Sequence, residues 1–236
     1  MTSSSRQLRA RARQILETEF LFGSTFIPNR FRTISTPDEK SIVNSKSREQ
    51  LLESLETRFC SVFPLSESLE SATRPVFGEG APHADLMFVG EAPGADEDRE
   101  GRPFVGAAGR KLDDIIKAMG FTREQTYIAN VLKARPPENR APLPNEIADH
   151  SPFLVEQIKI IQPRVIVALG GPAAHFLLDS TEPISRLRGI WGLWNCDERS
   201  IDVMPTFHPA YLLRQYTSEV RNQVWSDMQQ VMAKLQ

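Results

Sequence analysis

Four short apolar runs, Asp85–Gly90, Thr126–Val131, Val165–Gly170 and Ile201–Phe207, constrain the fold of this chain more than any other feature. Each has the length and continuous apolar character of a strand buried in a parallel sheet. Helical patterns lie between and after them. Leu112, Ile115, Ile116 and Met119 share one face ahead of a terminating Gly120, and Asn145 is placed to cap a helix running to Ile161, with Pro152 placed to kink it. Val224, Met228, Val231 and Leu235 recur at three- and four-residue steps, the mark of an amphipathic helix. This alternation predicts an α/β fold, a three-layer α/β/α sandwich around a central four-stranded, mainly parallel sheet. In such sheets ligands bind beyond the carboxyl ends of the strands.

The 236 residues are 40% apolar and 25% charged, which suits a soluble globular body rather than a disordered or fibrous one. The longest apolar stretches, such as Val165–Leu169, are far too short to cross a bilayer, so no membrane partner is expected. Two cysteines, Cys60 and Cys196, form neither a disulfide framework nor a Cys-x-x-Cys pair and fit a reducing, cytoplasmic setting. A net charge of −2 means that a nucleic-acid partner would have to be met by a local basic face. The first 75 residues differ in character, with Ser-rich joints and helix-forming stretches over Arg6–Phe22 and Ser47–Phe59. Arg6, Arg9, Arg11 and Arg13, with no acid among them, suit a solvated helix face better than a DNA-facing arm or an organelle transit peptide.

The unusual residues follow the strands. After the first comes Gly90-Glu-Ala-Pro-Gly94-Ala-Asp-Glu97-Asp98, then Gly101-Arg-Pro-Phe104-Val-Gly106-Ala-Ala-Gly109. A phosphate-cradling turn is disfavoured here, because the glycine spacing is wrong and four acids would repel an anion. After the second strand stand Asn130 and the rigid, basic Lys133-Ala-Arg-Pro-Pro-Glu-Asn-Arg140. An asparagine amide can pair with a pyrimidine edge that presents a carbonyl beside an N–H. After the last strand comes His208-Pro-Ala-Tyr-Leu212-Leu-Arg214. Each residue alone has a bland structural reading; three such loops on one rim do not.

Gly90–Gly94, Pro103–Gly106, Asn130 and His208–Leu213 resemble the motifs of the family 4 uracil-DNA glycosylases. The likeness extends through Val76–Gly80, Asn130–Arg140, Leu187–Gly189 and Met204–Arg214. It implies a helical extension over residues 1–57 and a catalytic domain over 58–236. The implied reaction is hydrolysis of the glycosidic bond of deoxyuridine in DNA, after base flipping, to leave an abasic site for base excision repair. By the same resemblance Phe104 stacks on the flipped ring, Asn130 reads its O4/N3 edge, and His208 with loop amides near Glu91 and Ala92 stabilises the departing anion, Gly94 completing the loop. Glu91 and Glu97 are the candidate carboxylates for the sugar and water, with Asp96 and Asp98 behind them. Lys133, Arg140 and Arg214 are expected on DNA, and Leu212 as a wedge in the vacated stack. A monomer acting on uracil-containing DNA is the implied assembly. The alternative is a catalytically impaired protein of the same fold that binds damaged DNA.

Between Arg99 and Arg140 nine Lys/Arg (99, 102, 110, 111, 117, 123, 133, 135, 140) face five acids (100, 113, 114, 124, 138), consistent with a DNA-facing rim. The chain departs from the family at its four-iron four-sulfur cluster. Of the four cysteines only Cys60 is retained; Phe63, Ala134 and His150 stand at the other positions. One thiolate and one imidazole cannot hold a cubane. No metal is therefore expected, with Phe63, Ala134 and a buried Cys60 filling the volume and His150 finding a local hydrogen bond.

Overall fold

The computed structural model describes residues 46–196 and 199–236. The helix expected over Arg6–Phe22 and the arginine-rich start lie outside the described residues. The strands are β1 (Glu79–Gly80), β2 (Leu86–Gly90), β3 (Tyr127–Asn130), β4 (Val165–Leu169), β5 (Gly192–Cys196) and β6 (Arg199–Thr206). The helices are α1 (Arg48–Val62), α2 (Ala95–Glu100), α3 (Ala107–Ala118), α4 (Pro144–Ile161), α5 (Gly171–Leu178), α6 (Ile184–Leu187), α7 (Pro209–Arg214) and α8 (Ser218–Leu235).

The strands form one sheet in the order β1-β3-β2-β4-β6-β5. The four apolar runs are the four central, mutually parallel strands, with Gly90 opposite Asn130 and Leu169 opposite Thr206. Two antiparallel edge strands enlarge the expected sheet from four strands to six among the described residues. β1 is only two residues long, and β5 mixes Gly, Leu, Trp, Asn and Cys, so neither produces a continuous apolar run.

Alternation along the central strands builds the layers. Met87, Val89, Ala129, Ile166, Ala168 and Val203 point to one face, against Leu52 of α1, Leu154, Ile158 and Ile161 of α4, and Ala173 and Leu177 of α5. Leu86, Phe88, Ile128, Val165, Val167 and Met204 point to the other, against Leu112 and Ile116 of α3, Leu212 of α7, and Val224, Met228 and Val231 of α8. Burying such a side chain contributes roughly 1.5–3 kcal/mol, so both helical layers are held chiefly by this interdigitation.

α1 opens on a capping box between Ser47 and Gln50. Its Arg48 donates to the Ile161 carbonyl at 2.7 Å, Arg58 pairs with Glu156 at 2.6 Å, and Phe59 packs edge-on to Phe153 at 4.9 Å. This helix belongs to the compact body that contains the sheet and runs unbroken through residues 57 and 58. No described helix is long and apolar enough to cross a membrane.

α4 starts one residue before the expected cap. Pro144 takes the first helical position, and buried Glu146 accepts from the Leu143 N–H at 2.8 Å and the Ser68 hydroxyl at 2.5 Å. Arg140 grips the same carboxylate through two nitrogens, and this charged hydrogen bonding holds Glu146 down to about 2. Pro152 lies within α4 without ending it.

Three polar side chains are wholly buried between β3 and α4. Lys133 Nζ donates to the Asn130 carbonyl at 2.9 Å and to Gln157 Oε1 at 2.5 Å. Gln157 Nε2 donates to the Phe77 carbonyl and the Tyr127 hydroxyl, each at 3.0 Å. His150 Nδ1 accepts from the Lys133 N–H at 3.1 Å. Burial first, and the neighbouring Lys133 second, push His150 down to about 4 from its ordinary 6.5.

Because this folded-state value is depressed, the unfolded chain takes up the proton first on acidification. The contribution of neutral His150 is complete above pH 6.5 and is lost as the pH falls toward 4, by an amount on the order of 3 kcal/mol. Urea unfolding followed at pH 7 and pH 4.5 is expected to give a lower midpoint in acid. The same comparison in His150→Leu is expected to show a flatter dependence, from a lower starting stability because the Lys133 N–H loses its acceptor.

Candidate active site

The carboxyl ends of the four parallel strands open on a single cavity of about 720 Å³. Its wall is laid down in pieces from distant stretches: Glu91, Ala92, Gly94 and Glu97 follow β2, Asn130 ends β3, Gly170 to Pro172 follow β4, and His208, Tyr211 and Arg214 follow β6. Phe104, Arg140, Ile184 and Ser185 are also part of it.

Gly90 decides the geometry at the cavity floor. A Cβ there would lie 2.4 Å from Asn130 Oδ1 and 2.5 Å from Phe104 Cζ, so only glycine lets the amide and the ring share this corner. Asn130 is 1% exposed, and its Oδ1 has no hydrogen-bond partner among the described residues. A buried acceptor left unpaired costs about 1–3 kcal/mol, so this one is poised for a donor brought by a ligand.

Phe104 is buried, sits at φ +52°, and places its ring 5.6 Å from that of His208 with the planes 30° apart. His208 caps α7 by accepting the Ala210 N–H on Nδ1 at 3.1 Å. The neutral ring must then carry its proton on Nε2, as a donor. Burial, and secondarily the positive charge of Arg214, push His208 down to about 4, so the ring is neutral at pH 7.

The acids of the first loop divide by task. Glu91 is half-buried on the cavity wall, and burial raises its pKa. Glu97 also borders the cavity, but its carboxylate accepts the N–H groups of Gly94 at 3.1 Å, Val105 at 2.9 Å and Gly106 at 3.0 Å. It fastens the two halves of the loop together. Asp98 accepts the Thr73 N–H and hydroxyl and the Arg74 N–H, and Asp96 pairs with Arg99.

Nine of the expected residues thus converge on the cavity: Glu91, Ala92, Gly94, Glu97, Phe104, Asn130, Arg140, His208 and Arg214. Lys133 and Leu212 do not. Lys133 is fully buried beneath Asn130 and cannot meet DNA. Leu212 is 3% exposed because the inner face of α7 packs it into the core, whereas Leu213, one residue on, is 45% exposed. The expected basic face is also thinner than its count of cations: Arg102 and Arg123 are paired with Glu79, Lys111 with Asp114, and Arg140 with Glu146.

Residues 77–229 match the family model of the uracil DNA glycosylase superfamily. A Type-4 uracil-DNA glycosylase of Thermotoga maritima is 44% identical over 186 residues, 78% of this chain and 94% of that protein. Enzymes of the same description from Sulfurisphaera tokodaii and Archaeoglobus fulgidus are 44% and 40% identical, over 67% and 69% of this chain and 74% and 82% of theirs. The chain belongs to the uracil DNA glycosylase superfamily.

The four positions where the resemblance implies cluster ligands are Cys60, Phe63, Ala134 and His150. Cys60 is exposed on α1 rather than buried as expected, Phe63 stands edge-on to Phe59 at 6.1 Å, and Ala134 presents a buried methyl. His150 spends Nδ1 on the Lys133 N–H, and its ring lies 5.6 Å from Phe59. Among the described residues no group of three or more His, Cys, Asp or Glu could hold a metal ion. Two of the four positions carry no donor atom, so this corner does not fit a four-iron four-sulfur cluster.

Pro172, Ile184 and Ser185 of the cavity wall lie outside every motif marked in the sequence, while Pro136, Asn139, Phe207 and Tyr211 lie within matched segments without a role of their own. The rule that loops after parallel strands carry function would have reached Gly170-Gly-Pro172, which follows β4. Ile184 and Ser185 lie on α6, a single turn with no motif to mark it.

Proposed function

We propose that this chain is a uracil-DNA glycosylase that flips deoxyuridine into the cavity and hydrolyses its N-glycosidic bond. The observation that carries the reading is Asn130: a buried amide with an unpaired Oδ1, beside an aromatic ring and a neutral imidazole donor. Uracil supplies the complement. Its N3–H would donate to Asn130 Oδ1 and its O4 would accept from Nδ2, whereas cytosine reverses both and would leave buried groups unsatisfied. Phe104 would stack on the ring.

As the C1′–N1 bond breaks, its electron pair goes to the base, and charge develops on O2. His208 Nε2–H would donate to that oxygen, with loop amides near Ala92 assisting. A neutral donor suits the task, since it stabilises the anion without surrendering a proton early. The sugar becomes cationic and gains the oxygen of a water molecule at C1′. Glu91 would stabilise that cation and accept the water proton; its position on the wall favours it over Glu97, whose carboxylate is occupied by the N–H groups of Gly94, Val105 and Gly106. At the cavity rim exposed Arg214 would hold phosphate, and exposed Leu213, rather than Leu212, would fill the vacated stack. All these groups come from one chain, so a monomer suffices.

Two expectations test the reading. On uracil-containing single- and double-stranded oligonucleotides, His208→Ala and Asn130→Ala are each expected to slow excision by about 10²–10³-fold, read as loss of alkali-labile breaks. Tight binding with no breaks by the wild-type protein would instead favour a damage-binding role. Because Glu91 must be ionised and burial raises its pKa, the acid limb of kcat/KM is expected above the ordinary 4.5 and should vanish in Glu91→Gln.

The enzyme we propose holds no iron–sulfur cluster. Protein purified without oxygen is expected to be colourless, with iron far below four per chain; a brown sample with stoichiometric iron would overturn this.

A further inference from the structure

We propose that Arg123, with Glu79 behind it, is a positioning residue for base recognition: it holds the Pro103–Phe104 peptides so that the Phe104 ring presents its face to the flipped base. The inference rests on the stacking role given to Phe104 above.

Arg123 lies on the turn that leads into β3, in no motif marked by the sequence, and was counted there among the DNA-facing cations. It faces inward instead, with its side chain 15% exposed. Its guanidinium donates to the Phe104 carbonyl at 3.1 Å, to the Pro103 carbonyl and to Asp113 at 2.8 Å, while Nε donates to Glu79. Glu79 is fixed in turn by Arg102 through two nitrogens, at 2.8 and 3.2 Å. A planar, five-donor group is the side chain suited to engaging two successive carbonyls and two carboxylates at once.

What it grips is strained. Phe104 occupies φ +52°, a region that bulky residues avoid and that persists only where the surroundings over-determine it. Two glycines supply room but no hold: a Cβ on Gly109 would lie 1.9 Å from the Phe104 carbonyl oxygen, and one on Gly90 would strike the ring. Glu97 holds the N–H groups of Val105 and Gly106 on the far side, and Arg123 holds the carbonyls of Pro103 and Phe104 themselves. Release of the two carbonyls would let Phe104 relax toward negative φ and swing its ring away from His208 and Asn130.

The test is a double-mutant cycle on uracil excision from single-stranded DNA, using Arg123→Met, Phe104→Ala and the pair. If Arg123 acts through Phe104, Arg123→Met is expected to lower kcat/KM at least tenfold in the wild type and less than twofold in the Phe104→Ala background. Its salt dependence of binding should match the wild type, whereas a lost phosphate contact would reduce the slope by about one. Additive losses, or a reduced salt slope, would overturn the proposal. If Phe104→Ala itself costs nothing, the stacking role fails, and that outcome is distinct. Should Arg123→Met not fold, Glu79→Gln in the same cycle is expected to give a smaller, equally non-additive loss; additivity there would also overturn it. Arg123→Lys, which cannot span both carbonyls, is expected to recover only part of the activity.

Discussion

The close pairing of Gly90 with Asn130 across β2 and β3 is the constraint on which the cavity depends. The two residues are register partners at the carboxyl ends of adjacent parallel strands, where the sheet stops and backbone curvature opens a crevice. Parallel pairing brings the β2 loop and the Asn130 amide to the same level, and the missing Cβ on Gly90 leaves the space that Asn130 Oδ1 and the Phe104 ring both occupy. A side chain of any size would separate the group that reads hydrogen bonds from the group that offers a flat apolar face. Recognition of a planar heterocycle needs both within one ring's width.

Such a floor requires support from below, and the support is polar. Lys133 and Gln157 satisfy the Asn130 carbonyl and bridge to the Tyr127 hydroxyl, and His150 takes the Lys133 N–H. Burial pushes the Lys133 amine well below its ordinary pKa, and its hydrogen bonds to the Asn130 carbonyl and Gln157 offset part of the cost of placing it there. The neighbouring corner, where the family resemblance implies iron, is packed instead by Phe59 against Phe63, Phe77, Phe153 and His150. Apolar packing and the hydrogen bonds of Lys133, Gln157 and His150 Nδ1 together can hold α1, the β3 loop and α4 in register without a metal.

The sheet was legible because four runs of continuous apolar residues have few alternatives, and the rim was legible because Glu91, Asn130 and His208 are chemically conspicuous at strand ends. What escaped notice is instructive in each case. Lys133 looked like part of a basic loop, since sequence does not reveal that a lysine's stem and amine turn inward when carbonyl acceptors wait there. Leu212 and Leu213 are equivalent as letters; the phase of a six-residue helix decides which one packs and which one is wet. Cys60 faces solvent for the same reason, lying one position beyond Phe59 on α1. Arg123 was invisible as a site residue because its partners are backbone carbonyls, which carry no sequence signature.

The charge distribution follows from the same burial. Cations near the cavity are mostly spent on carboxylates: Arg140 on Glu146, and Arg102 and Arg123 on Glu79. Inside, the imidazole is kept neutral by burial and by Arg214, and Glu91 has its ionisation opposed. Glu97 and Arg140, on the same wall, are held by backbone N–H groups and by Glu146, so the imidazole N–H is a neutral donor among charges that already have partners. An oriented N–H held in place before a charge develops needs no reorganisation to meet it. A protonated ring in the place of neutral His208 would be a buried charge beside Arg214, which burial and that neighbour both oppose, whereas the neutral ring keeps its Nε2 donor at pH 7 without that cost.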